Sequence, residues 1–244
     1  MARAAEIVME HAHPEGIDIN MGCPVYKITS NFNGAALMKD SELAANIVRE
    51  MKRAIGDTPL SVKIRLGWDD RDTFKTFIPA IEAAGADLVT IHGRTKAQGY
   101  SGESDWERIR EAKEIATIPL LANGDIHLPP QVAEALGVTK ADGVLIARGA
   151  LGNPWFFRQT ADPAFHVSLE ERAEVVIEHA RLHVGQYGEK GIMTFRKHLS
   201  WYFKTNKIGF EIPHIKEYRK RLVRVASLEE LKNILDDLIA ANPQ

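Results

Sequence analysis

Between residues 17 and about 150 the chain alternates short apolar runs with helical periodicity, and this alternation constrains the fold more than any other feature. The runs at 17–21, 60–66, 88–92, 119–122 and 143–147 are rich in Ile, Val and Leu, and read as strands buried on both faces. Leu43, Ile47 and Met51 recur at helical spacing between them, as do Phe74, Ile78 and Ile81. Gly56, Gly85 and Gly137 stand where helices should stop. Continuous apolar strands separated by amphipathic helices predict a parallel sheet covered by helices.

Polar residues follow every strand: Asn20 and Cys23, Lys63 and Arg65, His92 and Arg94, Asn123 and Asp125, then Arg148. In an open doubly wound sheet only the strand ends at one switch point need such groups. Five in succession favour a (β/α)8-type TIM barrel, whose strand ends converge on one mouth. A full barrel needs eight units of roughly 30 residues each. The chain offers five, preceded by a helix at 2–11, so about three βα units are expected to be absent from its front. After Pro154 the pattern is helical only. Ser104-Asp105-Trp106-Glu107, Ser168-Leu169-Glu170-Glu171 and Ser227-Leu228-Glu229-Glu230 are capping boxes. Gly188, Gly191, Gly209 and Pro213 punctuate the later loops. The expected organisation is a partial barrel over residues 1–159 and a helical domain over 160–244.

Composition narrows the class. One cysteine excludes an internal disulfide and argues against a multi-thiolate zinc site, and the first residues read as a helix without the apolar core of an export signal. A reducing cytoplasm, no membrane span, no metal and a monomeric state are the corresponding expectations. The net charge of −2 conceals a division. Residues 196–224 carry nine Lys or Arg against Glu211 and Glu217, a local +7 on a body at −9. Such a segment is either a solvated helix face or a dock for a polyanion. Within it, Phe195-Arg196-Lys197-His198-Leu199-Ser200-Trp201-Tyr202-Phe203-Lys204 interleaves rings with cations, as RNA-binding surfaces do; the rings also suit a helix's core face.

Four features at the strand ends bear on chemistry. Asn123-Gly124-Asp125 and Ala147-Arg148-Gly149 sit where barrel loops commonly hold phosphate, with glycines admitting backbone N–H groups and Arg148 adding charge; the same glycines also serve tight turns. Lys63 and Arg65 share one face of their strand. A charge there meets either a counter-ion, with Asp18 the candidate, or an electron-rich ligand. His92 has the same two readings. Cys23 is either a small buried hydrophobe or, in its Gly-Cys-Pro turn, a thiol held over the mouth as a general acid.

Ile17-Asp18-Ile19-Asn20-Met21-Gly22-Cys23-Pro24 closely resembles the signature of tRNA-dihydrouridine synthases. The resemblance continues through Val62-Lys63-Ile64-Arg65-Leu66-Gly67-Trp68-Asp69, Ile91-His92-Gly93-Arg94-Thr95, Gly99-Tyr100-Ser101-Gly102, Asn123-Gly124-Asp125-Ile126 and Arg148-Gly149-Ala150-Leu151-Gly152-Asn153-Pro154-Trp155, in family order. The helix around Arg196-Lys197-His198 is similar to the family's tRNA-binding domain, most of all in its bacterial B-type subgroup. The resemblance implies FMN at the barrel mouth, NADPH as reductant, hydride delivery to C6 of a tRNA uridine and protonation at C5 by Cys23. It also implies that Lys63 touches the flavin ring, that His92, Asn123, Gly124, Asp125, Ala147 and Arg148 complete the cofactor site, and that Asn20, Arg65, Arg94, Arg196, Lys197 and Lys204 meet tRNA. Position 147 is usually glycine in the family. The family's opening Ala-Pro-Met strand and the glutamine of its third strand have no counterpart here, so an inactive copy is one expectation. A tRNA-binding remnant without catalysis and a flavin barrel acting on a small molecule are the competing readings.

Overall fold

The computed structural model describes residues 1–204 and 211–242; Lys207 and Gly209 lie outside the described residues. By contact the chain divides into two compact units, Met1–Ile126 with Gln131–Ala147, and His127–Pro130 with Arg148–Gln244.

The first unit is built on five parallel strands: β1 (Ile17–Asn20), β2 (Leu60–Arg65), β3 (Leu88–His92), β4 (Leu120–Asn123) and β5 (Gly143–Val144). They pair in the order β1-β2-β3-β4-β5. The order never reverses, which is the winding of a barrel arc and not of a doubly wound sheet, consistent with a partial TIM barrel. Helices α1 (Ala2–Ala12), α3 (Ser41–Ile55), α4 (Phe74–Ala83) and α5 (Trp106–Ile115) each pack on the next, forming one row. Between β1 and α3 lie the short α2 (Tyr26–Thr29) and a 3-10 helix at Gly34–Lys39. Helix α6 (Pro130–Thr139) precedes β5.

Strand alternation sorts the side chains cleanly. Leu60, Val62, Ile64, Val89, Ile91, Leu120 and Ala122 are buried in one core with Val48, Met51, Phe74, Phe77, Ile78, Ile81 and Ile109 from the helices. Each fully buried large apolar side chain contributes about 1.5–3 kcal/mol. The opposite face carries Asp18 and Asn20, Ser61, Lys63 and Arg65, Thr90 and His92, and Asn123. A polar face on a parallel sheet is costly in a sealed core, so it belongs to a ligand-facing cavity.

Several local expectations need amendment. β5 spans two residues where five were expected; beyond it Leu145 N–H still donates to Ala122 O at 2.9 Å and Asn123 Nδ2 to Leu145 O at 2.8 Å. Gly137 lies inside α6, and the turn comes at Lys140 with φ 55°. Helix α5 is capped by Asp105, whose side chain accepts from Arg108 N–H, and not by Ser104. Ser104 is drawn elsewhere: its amide donates to Asp125 Oδ2 at 2.8 Å and its hydroxyl to Asn123 O at 3.4 Å.

The second unit is described by itself. It contains α7 (Phe156–Ala161), α8 (Leu169–Tyr187), α9 (Gly191–Tyr202), α10 (Ile215–Leu222) and α11 (Leu228–Ala240). Ser168 and Ser227 cap α8 and α11, accepting from Glu171 and Glu230 amides at 3.1 and 3.0 Å. Leu169, Val176, Phe195, Leu199, Leu231 and Leu238 join its own core. Gly152 (φ +71°) approaches α9 so closely that a Cβ there would stand 2.2 Å from the Trp201 carbonyl carbon. Only glycine permits that contact.

Candidate active site at the strand ends

Register places the polar face in rows. Asn20 pairs with Lys63 and Lys63 with Thr90; Arg65 pairs with His92 and His92 with Asn123. Parallel partners in register share a face, so these side chains gather at the carboxyl ends of β1 to β4.

The turn carrying Cys23 is held from both sides. Met21 N–H donates to Lys63 O at 2.8 Å, and Gly22 N–H to Asn20 Oδ1 at 3.0 Å. Cys23 O accepts from Ala35 N–H at 3.0 Å, where the 3-10 helix begins. Gly34, with φ +57°, sits so close that a Cβ there would lie 2.8 Å from Cys23 O. Cys23 itself is half-buried.

Arg65 and Arg94 are buried staples. Arg65 Nε donates to Gly22 O at 2.8 Å, and its Nη1 to Thr95 O and Gly99 O at 2.9 and 2.8 Å. One guanidinium thus ties the loop after β1 to the loop after β3. Arg94 pairs with both oxygens of Asp125, at 3.0 and 2.6 Å. It also donates to Ser101 O at 3.2 Å and Gly102 O at 2.5 Å. That links the loops after β3 and β4. Both arginines were expected to meet tRNA; the structure directs their donors to internal acceptors.

Lys63 behaves differently. The anticipated Asp18 partner instead accepts from the Ser61 hydroxyl at 2.7 Å. Among the described residues the Lys63 ammonium makes no hydrogen bond or ion pair. Burial lowers its pKa, and the nearby Arg65 charge lowers it further. The Asp18 carboxylate opposes this only from beyond ion-pair distance, and a half-buried cation without a direct partner is unfavourable unless an electron-rich or anionic ligand meets it.

His92 accepts from Arg94 Nη1 through Nε2 at 3.2 Å, which assigns the proton to Nδ1. Burial, then the charges of Arg65, Lys63 and Arg94, pushes its pKa down to about 3. The imidazole is therefore a neutral donor at physiological pH. Because the folded value lies below the unfolded one, the unfolded chain takes up the proton first. Stability is full above about pH 6.5 and is lost as pH falls toward 3. His92→Gln should remove this acid limb, worth about 3 kcal/mol at pH 4, seen as a flatter dependence of Tm on pH between 7 and 4.

Gly124 has φ +121°, and a Cβ there would come within 2.3 Å of Ser104 Oγ and 2.9 Å of His92 Cδ2. Its carbonyl accepts from Trp106 Nε1 at 3.0 Å. Asp125, at φ 55°, is held by Arg94 and Ser104. Ser104 and Trp106 thus support this loop. Capping chemistry masked the first, and an amphipathic helix start masked the second.

The structure brings together Asn20, Cys23, Lys63, Arg65, His92, Arg94, Asn123, Gly124 and Asp125 on one unit. Ala147 ends that unit, exposed, and Arg148 belongs to the second, in a turn closed by Leu151 N–H to Arg148 O at 3.3 Å. In the second unit Arg196 is tied to Val225 O and Arg224 O, both at 2.9 Å, while Lys197 and Lys204 are exposed. The rings of Phe195, Tyr202 and Phe203 are core. Among the described residues no group of acidic, His or Cys side chains suits a metal, and no helix is long and apolar enough to cross a membrane.

Comparison with known proteins places this geometry in context. The family model described as dihydrouridine synthase (Dus) matches residues 1–242. The chain is 36% identical over 247 residues to the probable tRNA-dihydrouridine synthase 1 of Synechocystis sp., covering 98% of this chain and 67% of that protein. It is 42% identical over 194 residues to the probable tRNA-dihydrouridine synthase of Rickettsia bellii, covering 76% and 59%. With the tRNA-dihydrouridine synthase B of Pseudomonas syringae pv. tomato it shares 38% over 223 residues, covering 87% and 64%. The chain spans about three-fifths to two-thirds of the length of these curated relatives. With the family model matching nearly the whole chain and relatives at 36–42% identity, the chain belongs to the dihydrouridine synthase family.

Proposed function

We propose that this chain carries the uridine-reducing site of a tRNA-dihydrouridine synthase, using FMN and NADPH. The observation carrying the reading is Lys63: a partly buried ammonium that makes no direct hydrogen bond or ion pair among the described residues, beside Cys23 and two strands from Asn123. The residues present fit a flavin. Lys63 would meet the electron-rich ring edge, and neutral His92 would offer Nδ1–H. Asn123 and Asp125 would act through the loop at Gly124, since Asn123 Nδ2 and both Asp125 oxygens already have protein partners.

Reduced by NADPH, FMN would supply a hydride to C6 of the uridine. The chain's own part is to orient and protonate. Cys23, fixed by Gly22 and Ala35, would hold its thiol proton for C5, and Asn20 would flank the base. Arg65 and Arg94 would keep the rim rigid, so that these groups need not reorganise during the reaction. Lys197 and Lys204 on the second unit, exposed beside a ring-lined core, would take tRNA phosphates.

The test is direct. The purified 244-residue chain should bind FMN, seen as bound flavin absorbance, and form dihydrouridine in unmodified tRNA with NADPH. A chain that shifts tRNA on a gel but stays colourless in excess FMN would instead support a binding protein without catalysis. Flavin binding with turnover indifferent to Lys197→Ala and Lys204→Ala would favour a small-molecule substrate.

A further inference from the structure

Two ammonium groups share one indole at the same rim. Lys39 Nζ lies 3.8 Å from the Trp68 ring centroid and Lys96 Nζ 4.3 Å from it. Each contact is attractive alone, because the ring face is electron-rich. Together they place two like charges around one half-exposed side chain, where a single lysine would cover the ring. Among the described residues neither ammonium forms a hydrogen bond or an ion pair, although Asp40, Asp69 and Asp70 are adjacent in sequence. Those carboxylates point to backbone amides: Asp40 Oδ1 accepts from Leu43, Asp69 Oδ1 from Asp70 and Asp70 Oδ1 from Asp72.

The group is built into the frame and is not a chance meeting of surface chains. Lys96 N–H donates to Gly67 O at 2.9 Å and Ala97 N–H to Trp68 O at 2.8 Å, so the loops after β2 and β3 are joined at this point. Lys39 ends the 3-10 helix whose first turn bonds to Cys23 O.

We propose that Lys39 and Lys96, paired on Trp68, form a phosphate site that grips the RNA backbone beside the nucleotide presented to Cys23. The inference rests on the proposed function for its substrate, and adds the residues that position it. The chemistry required is a phosphodiester oxygen, which two ammoniums neutralise while the indole limits their freedom.

The test uses the whole chain and a tRNA-binding titration over a series of salt concentrations. Lys39→Gln with Lys96→Gln should weaken binding roughly tenfold at low salt and lower the log–log salt slope by about 0.7, the value for one lost phosphate contact on a single strand. Lys39→Arg with Lys96→Arg should keep both, since charge and ring stacking survive. The KM for NADPH should not move. An unchanged slope in the glutamine pair, or an equal loss in the arginine pair, overturns the inference. A raised KM for NADPH with normal tRNA binding also overturns it, assigning the site to a dinucleotide phosphate. Wild-type chain that fails to bind tRNA defeats both readings, whereas chain that binds tRNA with the expected slopes yet makes no dihydrouridine defeats only the proposed function.

Discussion

Cys23→Ala is expected to lower dihydrouridine formation by about 10²- to 10⁴-fold while flavin binding and NADPH oxidation persist, the range typical of losing a positioned general acid. The separation follows from how the turn is held. Gly22 and Cys23 are fixed through their backbones, by Arg65 Nε on Gly22 O and Ala35 N–H on Cys23 O. Removing the sulfur therefore leaves the loop in place. Lys63 keeps its position through strand pairing with Asn20 and Thr90. Cys23→Ser should not restore activity, because a hydroxyl is a far weaker acid than a thiol. Single-turnover reoxidation of reduced flavin by tRNA, against steady-state NADPH oxidation, separates the two steps. Equal loss of both would make Cys23 a packing residue.

Arg94→Leu should destabilise the first unit by about 3–5 kcal/mol, the cost of breaking a buried charge pair from one side. The Arg94 side chain is 3% exposed and its partner Asp125 24%. Without the guanidinium, Asp125 retains the Ser104 amide, and the Ser101 and Gly102 carbonyls lose a donor. For a chain of this length the loss corresponds to a Tm lower by on the order of 10 °C. Adding Asp125→Asn should cost little on the Arg94→Leu background and much more on the wild type, because the unpaired charge is already the main penalty. Asparagine also accepts the left-handed backbone at position 125, φ 55°. A cost below about 1 kcal/mol for Arg94→Leu would show that water replaces the pair and that the rim is not held by it.

Much of the scaffold was legible from local pattern. Short apolar runs rich in Ile, Val and Leu located β1 to β4 to within a residue or so, although each strand buries only one face in the apolar core and turns a polar one to the other side. Ser168 and Ser227 cap their helices as read, because a cap is satisfied within four residues. Where the partner is distant, local rules lose. Ser104 resembles a cap, yet Asp125 and Asn123 claim it from 19 to 21 residues away, and Asp105 takes its place. β5 pairs over two residues only, although its apolar run continues, because pairing depends on how closely β4 runs beside it, which no run of Val, Leu and Ile reveals.

The residue types of the candidate site and their succession along the chain were set by sequence alone, because alternation decides which side chains leave the apolar core. Which cation is free and which is fastened was decided only by tertiary structure. Arg65 and Arg94 look in sequence like groups awaiting a ligand, and folding gives them carbonyls and a carboxylate from other loops. Lys63 looked suited to Asp18, and Ser61 takes that carboxylate instead. The physical reason is common to both. A charge finds its partner through space, across loops that strand pairing brings together, and no spacing along one strand encodes that meeting.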